Sequence, residues 1–152
     1  MTTQFSRPRI VVLVGLPGSG KSTYLERLGV TALSSDAMRL LLCDDATDQS
    51  IQRRVFATLR FLLRQRLEIG RPATYIDATH LSLWERRPYL QLGQLYDCDV
   101  EALFFDVPLE VCLERNRKRQ RVVPPEVVER MAAKLVPPTL EEGFSAITVI
   151  RD

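Results

Sequence analysis

The sequence contains few of the residues that build metal centres or disulfide frameworks. It has one histidine, His80, and three cysteines, Cys43, Cys98 and Cys112, which lie far apart in the chain. No two cysteines have metal-ligand or Cys-x-x-Cys spacing, and a single histidine gives no basis for a metal site. We therefore expect three reduced, mostly buried thiols.

Long apolar runs and a strong net charge are also absent. The apolar run at residues 10–14 is too short to span a bilayer, and residues 1–9 contain no apolar signal core. The net charge of +2 gives by itself no argument for binding nucleic acid. We therefore expect a soluble cytoplasmic protein without membrane segments, in which residues 1–152 form one domain.

Strand and helix patterns alternate along the chain. Apolar or alternating segments predict strands at residues 10–14, 31–34, 73–77, 100–105 and 147–150. Helical patterns lie between them, at residues 21–28, from a cap at Asp36, from Asp48 or Ser50 to Gly70, from a cap at Ser82, from Pro108, and at residues 126–135. This order predicts an α/β fold with a five-stranded parallel sheet and helices on both faces.

A phosphate-binding motif follows the first predicted strand. The pattern GxxxxGK[ST] fits residues 15–22 without a gap, and a helix follows. In such a loop, glycines turn backbone N–H groups toward an anion, the lysine reaches the β- and γ-phosphates, and the hydroxyl binds Mg²⁺. The nucleotide-binding candidates are Gly15, Pro17, Gly18, Ser19, Gly20, Lys21, Ser22 and Thr23. The structural alternative is a plain glycine-rich turn.

Polar residues also follow the second and third strands. Because ligands bind beyond the carboxyl ends of parallel strands, Asp36 and Arg39 should share a rim with Lys21. Asp36 can accept a proton from an attacking hydroxyl, and Arg39 can hold a phosphate. The alternative is that Asp36 only caps its helix and Arg39 is a solvated surface residue. Asp77 ends the third strand, where a carboxylate holds Mg²⁺ or its water shell, although a turn also favours aspartate.

Two residues near Asp77 have competing interpretations. His80 can bind a phosphate or the acceptor, but we favour a hydrogen bond that orders its loop. Trp84 can stack on a base, but we favour packing against the core or a helix.

A basic segment at residues 115–121 carries five cations in seven residues. Arg115 and Arg119 share one face if this segment is helical, and they can close over a nucleotide as part of a lid at about residues 114–126. A solvated face or non-catalytic binding of nucleic acid are the alternatives. Arg53, Arg60 and Arg64 share a face of the long helix, which we interpret as solvated, with an acceptor groove as the alternative.

Taken together, these segments resemble the kinase domain of 5′-hydroxyl polynucleotide kinases, a group of small P-loop kinases. The resemblance covers residues 10–135, with the phosphate loop, Ser-x-Asp-x-x-Arg at 34–39, Asp-Ala-Thr-His at 77–80, and Arg-Asn-x-x-Arg at 115–119 before Val-Pro at 123–124. It implies ATP and Mg²⁺ as cofactors, with Lys21 binding the phosphate and Ser22 binding the metal. It also implies that Asp36 is the general base and that Arg39 contacts the phosphate of the acceptor. Arg115 and Arg119 would contact the phosphates of the donor.

The sequence thus predicts a phosphotransferase whose acceptor is the 5′-hydroxyl of DNA or RNA. Its catalytic candidates are Lys21, Asp36, Arg39 and Arg119, and its metal candidates are Ser22 and Asp77. A kinase of a nucleoside, metabolite or antibiotic would share the donor site but need a closed acceptor pocket. A nucleotide-binding ATPase regulated by a partner would have little use for Asp36, Arg39 and Arg119 as a set.

Overall fold

The computed structural model describes residues 7–119 and 122–151 of the chain. Within these residues, five strands form one sheet in the order β2-β3-β1-β4-β5. The strands are β1 Arg9–Val14, β2 Leu33–Ser34, β3 Ala73–Asp77, β4 Asp99–Phe105 and β5 Ala146–Ile150. Every pairing is parallel. The predicted α/β fold with a five-stranded parallel sheet is confirmed.

Six α-helices connect or follow the strands in the described part of the chain. They are α1 Lys21–Leu28, α2 Ser35–Cys43, α3 Gln52–Ile69, α4 Leu83–Leu95, α5 Leu109–Arg117 and α6 Pro125–Lys134. Short 3₁₀ turns occur at Gln49–Ile51 and Leu140–Glu142. None of the described helices is long and apolar enough to cross a membrane.

The central strand β1 is buried on both faces, which explains its continuous apolar sequence. Ile10, Val12 and Val14 pack with residues of α3 and α4, including Leu63 and Tyr89. On the opposite face, Val11 and Leu13 pack with residues that include Leu25 of α1. Helices therefore cover both faces of the sheet, as the sequence predicts.

One helix start differs from the prediction. The side chain of Ser34 caps α2 by accepting a hydrogen bond from the Ala37 N–H at 3.2 Å, so the prediction that Asp36 caps this helix is wrong. Asp36 instead lies in the first turn. At the next start, Asp48 caps the 3₁₀ turn at Gln49–Ile51, and α3 begins after it. Ser82 caps α4 in a capping box with Glu85, as predicted.

A buried arginine joins α4 to the chain after α6. Arg86 is fully buried and forms a two-pronged ion pair with Glu142, at 2.9 and 3.2 Å. Its guanidinium also donates to the carbonyls of His80, at 3.1 Å, and Val136, at 2.7 Å. Arg86 therefore fixes the loop after β3 against the segment that follows α6.

We expect Arg86→Ala to lower the free energy of unfolding by about 3–5 kcal/mol, because it leaves Glu142 and two carbonyls without their partner. Urea denaturation followed by circular dichroism measures this loss. Arg87→Ala is the matched control, since Arg87 is exposed on the same helix and only covers the Trp84 ring. It should cost less than about 1 kcal/mol. Equal losses in the two variants would show that Arg86 does not stabilise the fold in this way.

Candidate functional site

The phosphate loop connects β1 to α1 at the carboxyl edge of the sheet. Its backbone approaches two other elements closely. A Cβ atom on Gly15 would lie 2.9 Å from the Phe105 Cβ at the end of β4. Gly18 has a φ of +84°, and a Cβ atom there would lie 2.4 Å from the Cys112 carbonyl oxygen of α5. Only glycine fits at these points, so the predicted phosphate loop forms a rigid turn held between β4 and α5.

Lys21 begins α1 and turns back into this loop. Its Nζ donates hydrogen bonds to the carbonyls of Gly15, at 2.8 Å, and Leu16, at 2.9 Å. Burial lowers the pKa of Lys21 to about 8, with a further decrease from Arg119, while Asp77 and Asp36 act in the opposite direction. These four charged groups therefore lie within electrostatic reach of one another.

The sheet register brings the two predicted carboxylates to the same rim. Ser34 at the end of β2 pairs with Asp77 at the end of β3, and Asp36 follows two residues later. Burial raises the pKa of Asp77; Lys21 opposes this shift, and Asp36 adds to it. The Asp36 side chain is 49% exposed, so it faces solvent at this rim.

The residues at this rim fit a magnesium ion bound with a nucleotide. Ser22 and Thr23 are exposed at the start of α1, and Asp77 is a half-buried carboxylate. In the described residues no group of three or more His, Cys, Asp or Glu side chains forms a complete protein-only metal site. One or two oxygen ligands completed by substrate phosphates and waters is the usual arrangement for Mg²⁺.

Arg39 is nearly fully buried, so the alternative of a solvated surface residue is wrong. One Nη atom donates to Asp36 at 2.9 Å and contacts the Ala46 carbonyl at 3.4 Å. The other donates to the Gln52 side chain. Gln52 was not predicted from the sequence, because its partner lies on a different helix. The Arg39 guanidinium is therefore held in one orientation beside Asp36.

Four buried polar side-chain atoms have no hydrogen-bond partner in the described part of the structure: the Ser19 Oγ, the Arg39 Nε, the His80 Nε2 and the Tyr89 hydroxyl. The first two lie in the phosphate loop and beside Asp36. Buried polar groups are nearly always hydrogen-bonded in native proteins, and an unpaired one requires an explanation. The position of the first two is suited to two anionic ligands that meet at this rim.

The basic segment lies next to the phosphate loop. The Arg115 Nη1 is 3.6 Å from where a Gly20 Cβ would be, and Arg119 lowers the pKa of both Lys21 and Asp77. The structure thus brings both predicted lid arginines to the candidate donor site. Gln120 and Arg121, the last two residues of this segment, lie outside the described residues.

Asn116 is a buried residue whose role the sequence analysis did not predict. Its side-chain amide donates to the Val123 carbonyl, and the Val123 N–H donates back to the Asn116 Oδ1 at 3.1 Å. This two-way contact closes the chain between residues 116 and 123 at its base. The signal in the sequence was its place in the Arg-Asn-x-x-Arg pattern at residues 115–119.

His80 orders its loop, as the favoured interpretation predicts. It is buried, has a φ of +48°, and its Nδ1 lies 2.6 Å from the Leu13 carbonyl of β1. Burial lowers the pKa of His80 to about 4, so the ring is neutral at pH 7.

The remaining sequence candidates lie around α3 and α4. Trp84 is 76% exposed, so its interpretation as a core or packing residue is wrong: its apolar character did not show that it lies on the outer face of α4. Arg53, Arg60 and Arg64 line hollows between α3 and α4. Cys98 and Cys112 are buried, Cys43 is half-buried, and all three are free thiols.

Comparison with known proteins gives the family. A family profile described as an AAA domain, AAA_33, matches residues 10–138, which is most of the chain. The chain belongs to this family. The family, the phosphate loop and the parallel sheet agree on a nucleotide-binding fold of the P-loop kinase type.

The names of two curated relatives refer to different acceptors. The L-seryl-tRNA(Sec) kinase of Methanococcus maripaludis is 23% identical over 136 residues, which cover 85% of this chain and 53% of that protein. The putative bifunctional polynucleotide kinase/RNA ligase of Autographa californica nuclear polyhedrosis virus is 23% identical over an alignment of 152 residues, covering 86% and 21%. The chain thus spans about half, or less, of these relatives' length.

Solved structures show the same fold. A chain of the Pnkp1/Rnl/Hen1 RNA repair complex has a TM-score of 0.72 and 25% identity, over 88% of this chain and 45% of that chain. A kinase from Chloroflexus aurantiacus whose function is itself only inferred has a TM-score of 0.70 and 18% identity, over 96% and 89%. The second likeness concerns the fold alone.

We expect Gly18→Ala to weaken nucleoside triphosphate binding at least tenfold, because the new methyl group pushes the phosphate loop away from the Cys112 carbonyl. Titration with a fluorescent triphosphate analogue measures the affinity. Gly29→Ala is the matched control: Gly29 also has a positive φ, +69°, but a Cβ atom there meets nothing within 4 Å. It should cost about 1–2 kcal/mol of stability and leave binding intact. Unchanged binding in Gly18→Ala would contradict the close contact.

We expect the stability of the protein to decrease as the pH falls from 6.5 toward 4. In this window the unfolded chain protonates His80, whereas the folded chain, with a His80 pKa of about 4, does not. His80→Asn removes this titration and keeps a residue that tolerates positive φ. Between pH 6.5 and 4.5 the wild type should lose about 2 kcal/mol more than the variant in urea unfolding. If the free energy of unfolding changed with pH equally in the wild type and in His80→Asn, His80 would have to take up its proton in the folded state as readily as in the unfolded chain.

Proposed function

We propose that the chain transfers the γ-phosphate of ATP to the 5′-hydroxyl of DNA or RNA. The Asp36–Arg39 pair carries this proposal. A solvent-facing carboxylate next to the donor site is suited to an acceptor hydroxyl, and the unpaired Nε of Arg39 is suited to a phosphate beside that hydroxyl. A nucleotide at the 5′ end of a strand carries both groups. The names of a curated viral relative and of the RNA repair complex support this acceptor.

The chemistry begins with Asp36, which takes the proton of the acceptor hydroxyl. The acceptor oxygen bonds to the γ-phosphorus while the bond from that phosphorus to the β,γ-bridging oxygen breaks, and ADP leaves with the electron pair. The ion pair with Arg39 at 2.9 Å fixes the orientation of the carboxylate. Arg39 thereby positions the base and the acceptor together.

On the donor side, the N–H groups of the phosphate loop and Lys21 bind the β- and γ-phosphates. Arg115 and Arg119 stabilise the charge that spreads over the transferring group. Ser22, and Asp77 through water, would hold Mg²⁺, which would supply positive charge opposite the phosphates. Closing the lid over these groups excludes water, which would otherwise compete with the acceptor hydroxyl.

We expect Asp36→Asn to lower kcat for phosphorylation of a 5′-hydroxyl oligonucleotide by about 10²–10⁴, because it removes the base but keeps the size of the side chain. Its affinity for triphosphate should stay near the wild-type value, because the N–H groups of the phosphate loop and Lys21 bind the phosphates. The assay follows transfer of label from γ-labelled ATP. Asp44→Asn is the matched control: Asp44 is exposed, lies just after α2 and has a φ of +62°, which asparagine tolerates.

The same assay decides the acceptor. Label at the 5′ end of the hydroxyl oligonucleotide, and none on its 5′-phosphorylated counterpart, would establish polynucleotide kinase activity. Label only on a nucleoside, on another small hydroxyl compound or on seryl-tRNA would refute the proposed acceptor and leave the P-loop kinase assignment in place. Wild-type turnover in Asp36→Asn would remove Asp36 from the mechanism.

A further inference from the structure

A groove runs between α3 and α4 on the outer surface, away from the sheet. It consists of two adjoining hollows of about 600 and 460 Å³, which share Arg60 as a lining residue. Gln52 lines its first hollow and also holds the buried guanidinium of Arg39. The groove therefore begins next to the Asp36–Arg39 pair. We call it the α3–α4 groove.

The two helices determine the direction of this groove. Each follows a segment at the carboxyl edge of the sheet, α3 after α2 and α4 after β3, and each runs toward the opposite edge. Arg53, Arg60 and Arg64 therefore follow one another away from the rim that carries Asp36. The eleven residue steps from Arg53 to Arg64 span about 16 Å along the helix axis.

The groove is strongly basic. Four arginines of α3 line it, Arg53, Arg54, Arg60 and Arg64, and none of them forms an ion pair within residues 7–119 and 122–151. One acid, Glu85, faces them, and its carboxylate accepts a hydrogen bond from the Ser82 N–H at the start of α4. The positive end of the helix dipole reduces the effect of this charge.

Aromatic and apolar surface lies among these charges. Phe56 forms part of the first hollow, and Pro88, Leu92 and Leu95 line the second. Trp84, Pro88 and Leu95 are spaced by four and then seven residues, so they share a face of α4. Because Trp84 lies in the first turn of α4, it is at the end of the groove nearest to the Asp36 rim. Its ring is largely exposed and is covered on one side by the Arg87 guanidinium at 5.5 Å.

We propose that the α3–α4 groove binds the single strand that follows the acceptor nucleotide, with its arginines on successive phosphates and Trp84 and Phe56 against the bases. A cationic track combined with exposed aromatic rings is the usual design of sites for single-stranded nucleic acid, which cover about 4 nucleotides or more. This inference rests on the proposed function, because it takes the 5′ end of the strand to lie at Asp36.

The test compares acceptors of two lengths, a 5′-hydroxyl dinucleotide and a 5′-hydroxyl twelve-nucleotide strand. In the wild type, kcat/KM should be higher for the longer acceptor. Arg60→Gln/Arg64→Gln should lower the ratio of kcat/KM for the long acceptor to that for the short one at least tenfold. Arg27→Gln/Arg151→Gln is the matched control, because it removes two exposed arginines, on α1 and after β5, that do not line the groove. It should keep the wild-type ratio.

Binding of the twelve-nucleotide strand, labelled with fluorescein at its 3′ end, gives a readout independent of catalysis. Arg60→Gln/Arg64→Gln should weaken binding at least tenfold and reduce the slope of log affinity against log salt by about 1.4. Trp84→Ala should weaken binding about fivefold or more through lost stacking, without a folding defect, because Trp84 is exposed. Thermal unfolding of each variant verifies that it is folded.

The outcomes separate this inference from the proposed function. Strand binding that depends on the groove arginines, without any phosphoryl transfer, would support the groove and refute the proposed function. Transfer to the strand with wild-type length dependence and wild-type salt slope in Arg60→Gln/Arg64→Gln would refute the groove and leave the proposed function in place. Failure of the wild type to bind the strand would also overturn the inference.

Discussion

The close contact between the phosphate loop and α5 is the constraint on which the candidate nucleotide site depends. At Gly18 the loop backbone lies so close to the Cys112 carbonyl of α5 that no side chain fits between them. The same helix carries Arg115 above Gly20 and leads to Arg119. Because interiors are close-packed and transmit displacement, a shift of the loop at Gly18 would also displace α5, which carries Arg115. The geometry of the donor site is therefore set by packing, before any ligand contributes.

The acceptor side is built differently. Asp36 and Arg39 lie on the short helix α2, and their orientation depends on a hydrogen bond from Arg39 to Gln52 of α3. The helices α2 and α3, which lie near the surface, thus define where the acceptor would bind. A similar donor site combined with a variable acceptor side agrees with the AAA_33 relatives, whose names include a kinase of seryl-tRNA and a polynucleotide kinase.

Local features of the sequence were sufficient for the sheet and the phosphate loop. The apolar run of β1, the GxxxxGK[ST] motif and the glycines after α1 and α3 each determine their structure within a few residues. The predictions are wrong where a second residue competes for the same position, or where a side chain pairs with a residue far away in the sequence. Ser34 takes the cap that Asp36 was expected to form. Arg86 pairs with Glu142, 56 positions away, and no local pattern indicates a buried arginine. The exposure of Trp84 likewise depends on which face of α4 the core occupies.

The contact between Asn116 and Val123 has a consequence for how such kinases diverge. Because the Asn116 side chain bonds the Val123 backbone in both directions, it holds residue 123 beside the end of α5, and Arg115 lies outside the segment that this contact closes, whereas Arg119 lies inside it. Insertions and deletions are tolerated best where the ends of a loop are held independently of its tip. A change in the length of this segment would therefore alter the position of Arg119 while leaving that of Arg115 the same.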